Sequence, residues 1–255
     1  MRLIIRSSWK CLSLESGGHS LSVTVIMPFR NCVSSLSEMV WRKCLESIST
    51  QRYLDWTCIL IDDCSKDNSS AIVESFKEKR FKLYRNREHI GLTRSLNKAI
   101  AMVDTPYIAR HDSDDFSSKS RFKNQVQFLD ENTNVSVLGT FAKLYSPDLV
   151  EYDSHEQPVT NAQIRNYIKR QNPMIHGSVM MRTNELKQLG GYNESFFVCQ
   201  DYELWSRFVL ANKVLHNMPE FLYNRVSHKA CASKVYSKLK KEAVNRIRAM
   251  HKGTN

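Results

Sequence analysis

The sequence predicts an α/β fold, a mainly parallel sheet covered on both faces by helices. Over residues 21–141, short apolar runs rich in β-branched residues alternate with stretches of helical periodicity, and that alternation marks strand–helix–strand units. The runs are mostly apolar or β-branched, as suits strands buried on both faces. Two of them end abruptly in carboxylates, Asp62-Asp63 and Asp112-Ser113-Asp114-Asp115. Open sheets of this kind bind ligands at the carboxyl ends of their strands.

The elements follow in order. Residues 1–20 show no periodicity and end in Ser16-Gly17-Gly18-His19, so they read as a loose extension. Leu21–Pro28 is a β-branched run closed by proline, a buried strand. Met39–Gln51 sets Val40, Cys44, Leu45 and Ile48 on one helical face. Trp56–Ile61 is the second buried strand. Asn68–Lys79 reads as a helix, Lys82–Arg85 as a short strand, and Leu92, Leu96, Ile100 and Val103 as a helical stripe after Gly91. The strand Tyr107–His111 is followed by a helix marked by Phe122, Val126 and Leu129, then by the strand Val135–Phe141. The second half is less regular: a helix over Asn161–Arg170, a strand over Ser178–Arg182, a tight turn at Leu189-Gly190-Gly191-Tyr192 and a helix over Asp201–Asn212. This divides the chain into an extension (1–20), a main domain (21–232, with halves 21–141 and 142–232) and a C-terminal helix (233–255).

Composition bounds the function. The chain has 255 residues, 42% hydrophobic and 25% charged, ordinary for a globular protein. No apolar run reaches the roughly 20 residues that cross a bilayer. Seven cysteines without a CxxC pair read as reduced, packed thiols of a cytoplasmic protein. Lys+Arg exceed Asp+Glu by 37 − 26 = 11, so anionic partners are expected: nucleic acid, an anionic membrane surface or a phosphorylated substrate.

The three carboxylates of Asp112, Asp114 and Asp115 repel one another unless a cation sits among them. Mg²⁺ or Mn²⁺ suits the place, because both prefer carboxylate oxygen and leave positions for phosphate. A solvated acidic turn is the plain alternative. Asp201, at the start of its helix, taken alone reads as a helix cap.

Taken together, the motifs resemble those of the family 2 inverting glycosyltransferases of the GT-A fold, such as those that build bacterial surface polysaccharides. The residues carrying the likeness are Val25–Asn31, Ile61–Asp67, Ile90–Asn97, Asp112–Asp115, Asn172–His176 and Gly190-Gly191-Tyr192 leading to Gln200–Trp205, in the family's order over about residues 22–233. The resemblance implies that Pro28, Phe29, Arg30 and Asp63 hold the base of a nucleotide-sugar, UDP-linked by preference, with Asp63 accepting from the uracil N3–H. It implies that Arg94 assists at the base or diphosphate, that Asp114 touches the ribose, and that Asp115, with Asp114, binds Mn²⁺ or Mg²⁺ while Asp112 supports the cluster. Asp201 would be the catalytic base. His176 and the segment from Tyr223-Asn224-Arg225 to His228 would line the diphosphate and acceptor side. Two departures stand out: Arg30 replaces a tyrosine frequent in the family, and Gln200-Asp201 replaces a Glu-Asp pair.

The chemistry is consistent with that assignment. A leaving diphosphate must be neutralised, which a divalent cation does without proton transfer, and the acceptor hydroxyl must lose its proton as it attacks. The expected acceptor is a glycan, including one on a lipid diphosphate. In the C-terminal stretch Ser233–Lys252, Val235, Leu239, Ala243 and Ile247 recur every four residues among basic side chains. Such a helix either lies on an anionic membrane, giving a peripheral protein of the inner membrane's cytoplasmic face, or packs its stripe on the catalytic domain. Two rivals explain parts of the pattern: a metal-dependent phosphohydrolase and a basic nucleic-acid-binding module. The second leaves the acidic strand ends unexplained, and no nucleic-acid partner is expected.

Overall fold

The computed structural model describes residues 21–228 and 237–252; the stretch 1–20 lies outside them, as do Lys234 and Val235. Strands β1 (Val23–Phe29), β2 (Trp56–Asp62), β3 (Phe81–Arg85) and β4 (Tyr107–Arg110) form the parallel part of a nine-stranded sheet. They are joined by α1 (Cys32–Ser35), α2 (Glu38–Ser49), α3 (Ser69–Ser75) and α4 (Leu92–Ala101). Then come β5 (Phe116–Ser117), α5 (Arg121–Glu131), β6 (Val135–Tyr145), β7 (Glu151–His155), α6 (Asn161–Tyr167), β8 (Met180–Arg182), α7 (Thr183–Gln188), α8 (Gln200–Leu210), β9 (Val214–Val226) and α9 (Ser237–Met250). The strand order is β3-β2-β1-β4-β8-β6-β9-β5, with β7 on β6.

The apolar strands sort their side chains by the period of two that a pleated sheet imposes. Val23, Val25, Met27 and Phe29 pack with Trp41, Cys44, Leu45 and Ile48 of α2 on one face. Ile26, Ile59 and Ile61 pack on the other with Leu96, Ala99 and Ile100 of α4 and with Leu204, Trp205 and Phe208 of α8. Trp41 is fully buried, and its indole Nε1 donates to the Ser69 carbonyl at 3.0 Å, so burial strands no polar edge. α2 starts at Ser37, whose side chain accepts from the Val40 N–H at 3.2 Å.

Strand β1 lies between β2 and β4, so the chain turns one way from β1 and later returns on the other side. This is the topological switch point at which open sheets leave a crevice. Register sets the same edge for both acidic ends: Phe29 pairs with Asp62, and Ile26 pairs with Arg110.

The second half differs from its sequence-based outline. β8 is shorter than expected and antiparallel to β4 and β6. The 13-residue β9 runs parallel to β6 with three register shifts, then pairs antiparallel with β5. That path brings residues 223–228 over the acidic turn after β4. Helix α3 ends at Ser75, short of the expected Lys79. The C-terminal helix buries Ala243 and Ile247 in the core that holds Trp205, while Leu239 stays 47% exposed. Cys32, Cys44, Cys58, Cys64 and Cys199 are free, the first three buried. Among the described residues, no helix is long and apolar enough to cross a membrane.

Candidate active site

Asp63 follows β2 and donates its N–H to the Phe29 carbonyl at 2.9 Å. Its buried carboxylate takes four donors from the loop before α4. Oδ1 accepts from Asn86 Nδ2 and the Ile90 N–H, both at 2.9 Å. Oδ2 accepts from the Gly91 N–H at 2.9 Å and lies 2.6 Å from His89 Nδ1. Burial favours the protonated acid, but the bonds from Asn86, Ile90, Gly91 and His89 outweigh it and hold Asp63 below the usual carboxylate range. Gly91 has a φ of +88°, a conformation that favours glycine and aims its N–H back at Asp63. Three of the four donors are buried or belong to backbone; the His89 side chain is 48% exposed and is the removable one.

The turn after β4 is built differently. Arg110 is 1% exposed, and its Nη2 donates to Asp112 Oδ1 at 2.6 Å while Nη1 donates to the His111 carbonyl. Burial opposes ionisation of Asp112, yet the Arg110 guanidinium holds its carboxyl below the ordinary value. The Asp112 N–H donates to Tyr223 Oη at 3.1 Å, which ties the turn to β9. Asp114 Oδ2 lies 2.8 Å from His228 Nε2. Asp115 is 5% exposed and accepts the Val226 N–H at 2.8 Å. Burial, then the charges of Asp114 and Asp112, push the Asp115 carboxyl well above its ordinary range, against the opposing charge of Arg225. The turn therefore holds more negative charge than its own cations balance. No three His, Cys, Asp or Glu side chains among the described residues converge into a complete metal cage.

The second half supplies the opposite wall. Helix α8 opens on Cys199, at φ 58° with no side-chain cap bond, so the cap reading of Asp201 fails. Asp201 lies in the first turn, and its Oδ2 accepts from Asn172 Nδ2 at 2.6 Å. His176 Nε2 lies 2.8 Å from Tyr192 Oη. Burial, then Arg110, push the His176 imidazole down to about 4, while Asp201 and Asp112 pull it the other way. Burial raises the Tyr192 phenol, and the charges of Asp201 and Asp112 act on it as well. The charges of Asp201 and Asp112, 89 residues apart in the chain, thus act on the same two groups. Gly177 lets the chain after His176 approach the acidic turn closely: a Cβ there would meet Tyr223 Oη and lie 2.6 Å from Asp112 Oδ2.

Of the residues singled out in the sequence, contacts and charge effects link Asp112, Asp114, Asp115, His176, Arg225, His228 and Asp201 to one another. Pro28 and Phe29 lie on β1 at its carboxyl end, with Asp63 beside them and Arg30 exposed beyond. Arg94 is 64% exposed and pairs with Glu194 at 3.3 Å. The residues that position these groups, Arg110, Asn86, His89 and Tyr192, have no role assigned from the sequence. Arg110 had a visible sign, a lone cation ending an apolar run two residues before a carboxylate.

The mixed α/β sheet, with carboxylates at the carboxyl ends of β2 and β4 beside its switch point, has the GT-A fold. The Glycosyl transferase family 2 profile matches residues 24–190, and the chain belongs to that family, a family of glycosyltransferases. The EpsE glycosyltransferase of Bacillus subtilis is 32% identical over 206 residues, covering 79% of this chain and 71% of that protein. The Escherichia coli UDP-Glc:alpha-D-GlcNAc-diphosphoundecaprenol beta-1,3-glucosyltransferase WfgD is 24% identical over 222 residues, 86% of this chain and 83% of its own. Among solved structures, S. aureus TarS 1-349 in complex with UDP-GlcNAc superposes with a TM-score of 0.66 at 21% identity, over 81% of this chain and 59% of that one. The Pyrobaculum calidifontis mannosyltransferase PcManGT, in complex with GDP-Man and Mn²⁺, gives 0.64 at 16%, over 84% and 59%. The chain thus spans about three fifths of the length of these two structures.

Proposed function

We propose that this chain moves a hexose from a UDP-sugar to a glycan acceptor, one carried on a lipid diphosphate, with inversion at the anomeric carbon. The observation that supports the reading is Asp201 in the first turn of α8, held by Asn172 at 2.6 Å, with its charge acting on the same His176 and Tyr192 as that of Asp112. The TarS complex with UDP-GlcNAc and the acceptor in WfgD's name support the donor and acceptor classes.

Pro28, Phe29 and Arg30 would frame the base, with the Arg30 guanidinium able to stack on it. A uracil N3–H would take the place of His89 on Asp63 Oδ2, since the other three donors are fixed. Asp114 would contact the ribose, and Arg94 the base or diphosphate. The turn's unbalanced negative charge and all-oxygen donors fit a hard divalent cation, held by Asp115 and Asp114. Bound there, Mn²⁺ or Mg²⁺ would neutralise the leaving diphosphate. A cation held by one or two carboxylates needs no complete protein cage, because phosphate and water fill the remaining positions. Arg225, His228 and the neutral His176 line the same side.

Asn172 occupies Asp201 Oδ2 and leaves Oδ1 to accept the acceptor's proton. Because that base faces the sugar from the side opposite the nucleotide, one displacement inverts the carbon and no covalent intermediate is needed. Most of the remaining acceleration comes from holding donor and acceptor in line. The test is a panel of UDP-, GDP- and dTDP-sugars with Mn²⁺, assayed against lipid-diphosphate-linked sugars. Turnover with a UDP-hexose that disappears in EDTA and in Asp201→Ala is expected; full turnover in chelator overturns the metal assignment.

A peripheral membrane contact belongs to the same proposal. α9 buries Ala243 and Ile247 and leaves Lys238, Lys240 and Lys241 exposed, so packing on the domain and a basic outer face coexist. Sedimentation with phosphatidylglycerol vesicles, lost in a triple Lys→Glu variant, is the expected result. Equal sedimentation of the two proteins removes the membrane role.

A further inference from the structure

A cleft of about 500 Å³ opens between the segment after β7 and helix α6. Gln157, Gln163, Asn166, Tyr167, Arg170 and Gln171 line it, with Glu156 and Pro158 at the start of that segment. None of these has been given a role above, and the volume falls within the roughly 300–1,000 Å³ of small-ligand sites.

Two chains of contact join the cleft to the chemistry. Gln171 precedes Asn172, whose side chain holds Asp201 at 2.6 Å. Gln157 Nε2 lies 3.1 Å from His155 Nε2, and His155 Nδ1 lies 3.3 Å from Arg225 Nη1 beside the acidic turn. The cleft floor is fixed from below: Thr160 and Gln163 form a reciprocal capping box that starts α6, and Arg248 of α9 donates to the Arg170 carbonyl at 2.5 and 3.0 Å.

The lining identifies the ligand class. Four carboxamides converge with one guanidinium and one phenol. A carboxamide offers both a donor and an acceptor, as a sugar's neighbouring hydroxyls require. Gln157 Oε1 is buried and has no hydrogen-bond partner, an acceptor waiting for a donor. Tyr167 is 37% exposed, with its hydroxyl 3.1 Å from Gln171 Oε1, so its ring edge is pinned while a face stays open to an apolar sugar surface. A diphosphate would call for more cations than Arg170, and Glu156 in the lining would repel it. The geometry points to a subsite for a second acceptor sugar, next to the one whose hydroxyl is attacked at Asp201. This deepens the transferase reading and rests on it. The acceptor then carries at least two sugars.

The experiment compares lipid-diphosphate-linked disaccharides with the matching monosaccharides as acceptors, using the UDP-sugar that gives turnover. Wild type should show a KM about tenfold lower for a disaccharide at similar kcat. Tyr167→Ala and Arg170→Ala should bring the two acceptors within twofold and leave the monosaccharide KM unchanged; Tyr167→Phe should keep most of the preference. A second arm needs no turnover: saturation-transfer NMR with the free disaccharides should give signals in wild type that Tyr167→Ala loses. Absence of any disaccharide preference, loss of both acceptors alike, or NMR signals undiminished in Tyr167→Ala overturns the subsite. Release of UDP into water without acceptor reports on the donor site alone, so a failed transferase reading and a failed subsite give different results.

Discussion

Asp63 and Asp115 sit just beyond the carboxyl ends of parallel strands, 4% and 5% exposed, on the same edge of one sheet. Around Asp63 the protein supplies four hydrogen-bond donors and no second carboxylate competes for them. Around Asp115 it supplies one backbone N–H, the charge of Arg225 and two further acidic side chains. The first carboxylate is satisfied by its own chain and latches the loop before α4. The second is short of positive charge, and burial worsens the deficit because low dielectric strengthens repulsion. Equal burial thus yields a structural anchor in one place and a demand for a cation in the other. What separates them is the donor count, not the acidity of the motif.

The largest expected effect tests the demand side. Asp115→Asn keeps an oxygen for the Val226 N–H but removes a charge from the turn. Turnover should fall at least about 10³-fold, roughly 4 kcal/mol of barrier, while the melting temperature in EDTA should rise. A lower melting temperature would mean that Asp115 is as satisfied as Asp63, and the contrast would break. Asp63→Asn should do the reverse to stability: its amide N–H₂ would face donors that had an acceptor, costing about 3 kcal/mol in urea unfolding. A loss under 1 kcal/mol would show that the loop finds water as readily as the carboxylate.

Metal sharpens the same contrast. Mn²⁺ at about one hundred times its Kd should stabilise wild type by about 2.7 kcal/mol, a rise of several degrees for a chain of this size. Asp115→Asn should show little rise, whereas Asp63→Asn should keep most of it. Equal rises in all three would place the cation elsewhere.

How much of this was legible in the chain follows the same division. β1, β2 and β4 could be read because both faces are buried and most of their residues are apolar or β-branched; helices α2 and α4 could be read from one-sided stripes. β9 could not, because Pro219 and Glu220 interrupt its pattern and bulges against β6 break the alternation. β7 is an exposed polar strand with no apolar signature. At the site, the carboxylates were visible as motifs because they cluster locally. Their partners were not: Asn86 and His89 reach Asp63 across 23 and 26 residues, and Tyr192 reaches His176 across 16, distances that only the fold closes. The sequence could show where negative charge gathers, but not whether the protein itself answers it.

The smallest effect concerns the group that sees both walls. His176 is pushed down to about 4, first by burial and then by Arg110, although Asp112 and Asp201 both favour its cation. An unfolded histidine takes its proton near 6.5. On acidification the unfolded chain therefore binds that proton first, so the stability linked to His176 is complete above about pH 6.5 and is lost as pH falls towards 4. Between pH 7 and 5 that loss is about 2 kcal/mol. His176→Gln can keep a hydrogen bond to Tyr192 and cannot titrate, so its unfolding free energy should fall less than wild type's over that interval. Parallel slopes would mean that the acidic groups on the two sides outweigh Arg110 and burial, leaving His176 with an ordinary affinity for its proton.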